Sequence, residues 1–225
     1  MLSKLTIIPA LAALATAAAL PSVDVPACPS KATVSYDRSM PAPSKPFPLT
    51  KVDLCYDDRA IHITFKAYDE TNFFFNASQT TDGDIWAYEV MEAFIYKGTD
   101  DPRRYFEYEV SPNNVTFQAF IYNPSKVRAP GARFDGAFFR QPIEDGLTAA
   151  TTLDRDCHTW VSDVRIPLGL FNVDDGAARG TQWRMNFFRI VTSPEIFPDQ
   201  ILAAWSPTDQ ANFHMSPFFG HVKFV

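Results

Sequence analysis

The sequence predicts an all-β protein, an antiparallel β-sandwich with little helix, and three observations predict it. From residue 51 onward apolar residues recur at every second position, as strands with one buried face require. The alternating stretches are short, and turn residues separate them at intervals that suit a sandwich. Aromatic residues are abundant, with 20 Phe, 8 Tyr and 4 Trp beside only 20% charged residues, a composition unlike that of a disordered chain. At 225 residues and 46% hydrophobic content the chain can bury one sizeable core. No internal repeat is visible at solenoid periods.

The elements follow in order. Residues 1–19 read as a secretory leader: Lys4 supplies a positive charge, residues 5–20 are uncharged, and Ala17-Ala18-Ala19 offers small residues for cleavage. That run of 16 residues is shorter than the roughly 20 needed to cross a bilayer, and no later segment is apolar enough to span one. Residues 20–50 carry Pro26, Pro29, Pro41, Pro43, Pro46 and Pro48 without periodic pattern, which predicts an extended arm. Residues 51–225 then form the sandwich. Ile61, Ile63, Phe65 and Ala67 alternate with His62, Thr64, Lys66 and Tyr68. Phe106, Tyr108 and Val110 alternate with Tyr105, Glu107 and Glu109, and Val115, Phe117, Ala119 and Ile121 with Thr116, Gln118, Phe120 and Tyr122. Further strands are expected over 84–96, 147–153, 158–166, 182–191, 200–205 and 217–225. Tyr88, Met91, Glu92 and Ile95 also fit a helical period, but the aromatic and β-branched content of 84–96 favours strand. Asp82-Gly83, Asp100-Asp101-Pro102, Ser111-Pro112-Asn113, Pro130-Gly131 and Asp174-Asp175-Gly176 punctuate the strands as turns. The stretch 167–171 predicts one short turn of helix. Trp160 and Trp183 lie within periodic strands and read as core.

The formal charge is −6. An acidic surface argues against nucleic acid, whose phosphates need a basic partner, and against anionic membranes. A secreted chain lives in oxidising conditions, so its three cysteines, Cys28, Cys55 and Cys157, are expected to form one disulfide and leave one thiol. A Cys28–Cys55 bridge would tie the N-terminal segment to a strand, while Cys157, in a turn-like stretch, could compete for either partner. No cysteine pair has zinc-site spacing. Asn76-Ala77-Ser78 and Asn114-Val115-Thr116 are acceptor sequons for glycosylation, whereas Pro124 blocks Asn123.

Few patterns support catalysis. There is no nucleophile elbow, metalloprotease motif, phosphate-binding loop or dinucleotide fingerprint. Glu107 and Glu109 share a strand face, and Glu92 could join them from a neighbouring strand, so a glycosidase pair of carboxylates can be drawn. A haem ligated by Met and His could draw on Met91, Met185, Met215, His62, His158, His214 or His221, although His214 and Met215, being adjacent, would point to opposite faces of a strand. Calcium could sit near Asp53, Asp57, Asp58 or Asp69, but acid-rich turns are ordinary. The strongest signal is aromatic residues in polar company. Sugar rings stack their C–H faces on flat aromatics and need directional polar partners for their hydroxyls. Trp86 follows the turn Asp82-Gly83-Asp84 and precedes a strand bearing Glu92; Phe213 follows a polar loop. Such loop-borne aromatics on a rigid sheet suit a binding site.

Taken in order, several stretches resemble family 9 carbohydrate-binding modules within the wider DOMON-like group. They are Leu54-Cys55-Tyr56-Asp57 with Ile61-His62-Ile63, then 86–94 with Trp86, Glu89 and Glu92, then 105–112. The C-terminal third adds 183–189, Trp205-Ser206-Pro207-Thr208 and Pro217-Phe218-Phe219-Gly220. The resemblance covers about 51–225 and implies a jelly-roll, DOMON-like sandwich. It implies that two aromatics clamp a sugar ring, at the positions of Trp86 and Phe213, the second being Trp in well-known modules. Polar contacts would come from Glu92, Glu109 and Gln210, with Glu standing at 109 where sugar-binding members are expected to carry Arg. Asn186 and Arg189 would buttress the sheet, and Trp205 would pack below the site. Such modules usually accompany glycoside hydrolases, and the chain after its leader and arm leaves no room for one. The resemblance therefore implies a secreted, monomeric, non-catalytic protein with a mono-, oligo- or polysaccharide ligand and no cofactor, linked to breakdown of plant cell-wall polysaccharide.

Overall fold

The computed structural model describes residues 19–140 and 146–225; the leader expected over 1–19 lies almost wholly outside them. The fold is all-β and antiparallel, as expected. Its strands are β1 (Ser22–Val25), β2 (Ala32–Met40), β3 (Pro46–Tyr56), β4 (Ala60–Ala67), β5 (Val90–Lys97), β6 (Arg104–Val110), β7 (Thr116–Tyr122), β8 (Ala137–Arg140), β9 (Thr148–Asp154), β10 (Thr159–Pro167), β11 (Gln182–Val191), β12 (Ile201–Ala204) and β13 (Gly220–Phe224). Three single 3₁₀ turns, Ile85–Ala87, Leu168–Phe171 and Ser216–Phe218, are the helical segments among the described residues.

One layer runs β8-β7-β6-β5-β11-β12 and the other β2-β3-β4-β10-β9, with β13 added beside β11. Strand β2 joins the layers: its early residues pair with β3, and Ser39 and Met40 pair with Ala203 and Leu202 of β12. Strand β1 is the exception to antiparallel pairing and lies parallel to β13. The inward faces meet in one apolar core, where Phe65 of β4 packs edge-on to Phe187 of β11 at 6.4 Å. Trp160 and Trp183 are buried in that core, each with its indole N–H satisfied two residues away, by Ser162 and Thr181. Inside the same core Arg189 forms an ion pair with Glu70 at 2.7 Å, and on the other face of β11 Asn186 bonds the N–H and the carbonyl of Ser206. Both residues brace the sheet.

The proline-rich segment 20–50 is not an arm. It is the substance of β1, β2 and the first half of β3, and Val25, Val34, Tyr36, Met40 and Phe47 bury their side chains from it. Its prolines lie at strand ends and in turns, where a missing N–H leaves no ladder bond unmade. The Cys28–Cys55 bridge is present, with Cα atoms 5.2 Å apart, and Cys157 is a free, exposed thiol. The expected strand over 84–96 begins only at Val90; residues 85–87 form a 3₁₀ turn that proves central to the site. Strand β8 has no counterpart among the strands expected from sequence. Around 217–225, a 3₁₀ turn precedes the strand, and Gly220 is required there because a Cβ would stand 2.4 Å from the Trp205 ring.

Candidate functional site

A strand points alternate side chains to opposite faces. The β8-to-β12 layer therefore has a second face, turned away from the sandwich core. On it β5 places Val90, Glu92 and Phe94, β6 places Tyr105, Glu107 and Glu109, and β11 places Phe188 and Ile190. Register aligns Glu92 with Glu109 and Phe94 with Glu107 across β5 and β6, and Glu92 with Phe188 across β5 and β11. The apolar members form a second buried cluster with Phe117, Ala119 and Ile121 of β7. Loops fold over the rim of this face and leave a cleft of about 460 Å³, within the usual range for small-ligand sites.

Trp86 and Phe213 both line this cleft, as do Glu92 and Glu109. Trp86 rides on the 3₁₀ turn Ile85–Ala87 and is 51% exposed. Its neighbour Ile85 is buried and anchors the turn. Asp82, at φ 62°, closes the preceding bend by donating its N–H to the Thr116 carbonyl, and its carboxylate accepts the Gln118 N–H. The Trp86 carbonyl accepts the Gln200 side-chain amide at 2.7 Å. The main chain is thus held while about half of the residue stays exposed. Phe213 has the opposite character. It is 8% exposed and stacks on Phe188 with centroids 4.2 Å apart, so one face is packed and only its cleft side is accessible.

The floor is acidic. Glu92, Glu107 and Glu109 are all buried and line the cleft together. Burial pushes each carboxyl well above the usual carboxylate range, with Glu109 adding to the effect at Glu92, Glu92 at Glu107, and Glu107 at Glu109. One oxygen each of Glu107 and Glu109 has no hydrogen-bond partner. Glu107, considered above only as a catalytic acid, belongs to the floor as much as the other two.

Gln210 lies elsewhere. Its side-chain amide donates to the Arg128 carbonyl at 2.7 Å and its main-chain carbonyl accepts the Thr208 hydroxyl, so the residue braces the loop and is absent from the cleft lining. Gln200, Asn212, His214, Phe134, Phe138 and Arg140 line it instead. Arg140, from β8, pairs with Asp84 at 3.0 Å and lies 5.0 Å over the Phe117 ring. A guanidinium is thus present in the cleft, but from a strand remote in sequence from Glu109. His214 bonds the Tyr105 hydroxyl through Nδ1 at 2.6 Å and packs among Phe94, Phe134 and Phe138. Burial, helped by the Arg128 guanidinium, pushes its pKa down to about 3, so the ring is neutral at physiological pH. The sequence flagged His214 only as a haem ligand; a four-residue β8 and a loop residue with no periodic pattern gave no other signal.

Of the residues considered for haem, Met215 is buried and adjoins His214 in sequence. Met91 and Met185 are buried in the sandwich core, whereas the cleft with His214 contains no Met. Among the described residues no group of three His, Cys, Asp or Glu is placed to hold a metal. Asp53 instead pairs with Lys66 and Thr33, and Asp57 accepts the Arg59 and Ala60 N–H groups and contacts His62. Trp205 packs on Phe187 at 5.9 Å, away from the cleft. Asn114 is exposed at the β6–β7 turn, while Asn76 is half-buried with its amide on the Tyr88 hydroxyl at 3.0 Å.

The fold is that of carbohydrate-binding modules. A protein of Bacteroides uniformis proposed to bind carbohydrate superposes with a TM-score of 0.67 at 16% identity, covering 92% of this chain and 100% of that one. A family 9 carbohydrate-binding module of Caldicellulosiruptor kristjanssonii, solved with cellotriose, gives 0.59 at 15% identity over 91% of this chain and 93% of that one. The glucose complex of a family 9 module from that organism gives 0.58 at 15% identity, covering 91% and 96%. The chain belongs to the same family as an extracellular protein of Arthroderma benhamiae, to which it is 53% identical over 205 residues, 91% of each chain. No protein-family model matches it. No helix among the described residues is long and apolar enough to cross a membrane.

Proposed function

We propose that the protein is a secreted, non-catalytic, monomeric carbohydrate-binding protein that stacks a sugar ring on Trp86 and Phe213 above the Glu92, Glu107 and Glu109 floor, in the service of polysaccharide breakdown. The observation that carries this reading is a half-exposed indole on a turn fixed by main-chain bonds, sharing one cleft with a packed phenyl ring and buried carboxyls. The fold, shared with modules solved around cellotriose and glucose, supports it. So does the extracellular relative, together with a disulfide. The acid floor suits binding better than hydrolysis. A glycosidase needs one ionised carboxylate beside its acid, and all three of these carboxyls are driven toward the protonated form. A protonated carboxyl both donates and accepts a hydrogen bond, which suits sugar hydroxyls.

Stacking with a few hydrogen bonds of about 1 kcal/mol each corresponds to Kd values roughly in the micromolar to millimolar range. A glycan and polysaccharide binding screen on the wild type and Trp86→Ala tests the proposal. Hits that vanish in the variant support it, and a screen empty for the folded wild type refutes it.

A further inference from the structure

The charge and geometry of the cleft floor point to a narrower ligand class. We infer that the cleft takes an amino sugar carrying a free primary ammonium group in preference to a neutral pyranose, with the ammonium seated on the Glu107 and Glu109 carboxyls. This rests on the carbohydrate reading and specifies its ligand.

Three observations carry it. First, the Glu107 and Glu109 side chains are 4% and 1% exposed, line the cleft, and each keeps one oxygen with no hydrogen-bond partner. A buried polar atom left unpaired costs about 1–3 kcal/mol, so a group able to pair with these carboxyls is what the floor lacks. Second, the cleft lining holds Asp84, Glu92, Glu107 and Glu109 against a single cation, Arg140. That guanidinium is already engaged, through Nη2 with Asp84 and through Nη1 with the Asp82 carbonyl. Arg128, behind the His214 loop, is spent on Asn123 and the His214 carbonyl, and its planar group covers the Phe134 ring at 4.2 Å. Third, the walls are aromatic, with Trp86, Phe138 and Phe213 beside the acids. Aromatic faces attract a cation as well as a sugar ring.

A neutral sugar could share hydrogen bonds with protonated carboxyls but would leave all three of them protonated. An ammonium supplies three donors and a positive charge. It lets at least one of the three carboxyls ionise inside the cleft, so a proton leaves as the ligand enters. The other titratable groups facing this point are Glu92 on β5, Tyr105 on β6, Arg140 on β8, and Asp84 and His214 from the loops. Of these only Arg140 is a cation, because His214 is held neutral.

The test is titration calorimetry at 150 mM salt and pH 6.5 with three trisaccharides: fully deacetylated chitosan trisaccharide, its N-acetylated counterpart, and cellotriose. Spermidine serves as an amine without a sugar ring. The expected result is at least tenfold tighter binding of the deacetylated trisaccharide than of either neutral one. Its affinity should rise from pH 5 to pH 7 because each binding event releases a proton from the floor, with no such rise for cellotriose. Glu107→Gln and Glu109→Gln, which keep side-chain shape, should each erase the preference about tenfold while far-UV circular dichroism stays that of the wild type. If either variant does not fold, the wild-type ligand ranking and its pH dependence decide alone. Neutral trisaccharides binding as tightly as the amino trisaccharide overturns this inference and leaves the carbohydrate reading standing. No binding of any trisaccharide overturns both. Spermidine binding as tightly as the amino trisaccharide overturns the sugar part of the inference.

Discussion

Replacing Trp86 by alanine should separate binding from folding. The indole is 51% exposed, and the bonds that fix its turn are made by backbone: the Trp86 carbonyl with Gln200, and the Asp82 and Gly83 N–H groups with the Thr116 and Thr80 carbonyls. Truncation removes none of these. A fully buried aromatic costs about 3–5 kcal/mol on truncation to alanine, whereas a half-exposed one that fills no core space should cost under about 1 kcal/mol. For a domain of this size that is a melting-temperature change of at most about 4 °C. Binding should suffer more. Covering an aromatic face with a sugar ring contributes roughly 1.5–3 kcal/mol, so the variant should bind about 10- to 100-fold more weakly. Calorimetry against the best ligand of the screen gives the binding change, and differential scanning calorimetry gives the stability change. Unchanged affinity in Trp86→Ala would refute the clamp. A fall in melting temperature above about 10 °C would show that the indole is structural.

Other perturbations separate along the same line. Phe213→Ala should lose both binding and about 2–4 kcal/mol of stability in urea unfolding, because the ring is 8% exposed and stacked on Phe188; wild-type stability would contradict its role in the floor. Cys28→Ser with Cys55→Ser should cost about 3 kcal/mol, since the bridge closes a loop with a sequence separation of 27, whereas Cys157→Ser, at an exposed free thiol, should leave the unfolding midpoint unmoved. Glu70→Ala should cost about 3–5 kcal/mol, because it leaves Arg189 buried and unpaired in the core. Stability should fall as pH rises from 6.5 to 8. In that window Glu89, pushed up to about 8 by burial and by Glu70, holds a proton that the unfolded chain has released, and the carboxyls of Glu92, Glu107 and Glu109, raised by burial, act in the same direction. Each carboxyl that stays protonated contributes a slope of about 1.4 kcal/mol per pH unit. His214, depressed to about 3, loses stability only as pH falls below its unfolded value near 6.5 and does not interfere. Melting temperatures in a pH series check this, and a flat or rising profile above pH 6.5 would contradict the protonated floor.

Local pattern decides some features of this protein and long-range contact decides others. Strand β11 was legible in its bounds, because Trp183, Met185 and Phe187 alternate through a largely buried element. Strands β1 to β3 were not, because prolines at their ends mask the period that Val34 and Tyr36 carry between them. Trp86 was legible through its turn, and Glu92 and Glu109 through their strand faces. Gln210 was misplaced because nothing local to a polar loop says that its amide will meet the Arg128 carbonyl, 82 positions away.

What the chain alone settles is therefore the sandwich, its buried tryptophans, and the alternation that sends Glu92, Glu107 and Glu109 to a common side of their strands. What only tertiary structure decides is that the side in question faces away from the core and lies under loops. Strand β8 and the loop before the last 3₁₀ turn bring Arg140, Phe138 and His214 to the same cleft. Alternation encodes which residues share a face, but whether that face meets solvent, ligand or another layer depends on pairings between segments distant in sequence, and no period of two can carry that information.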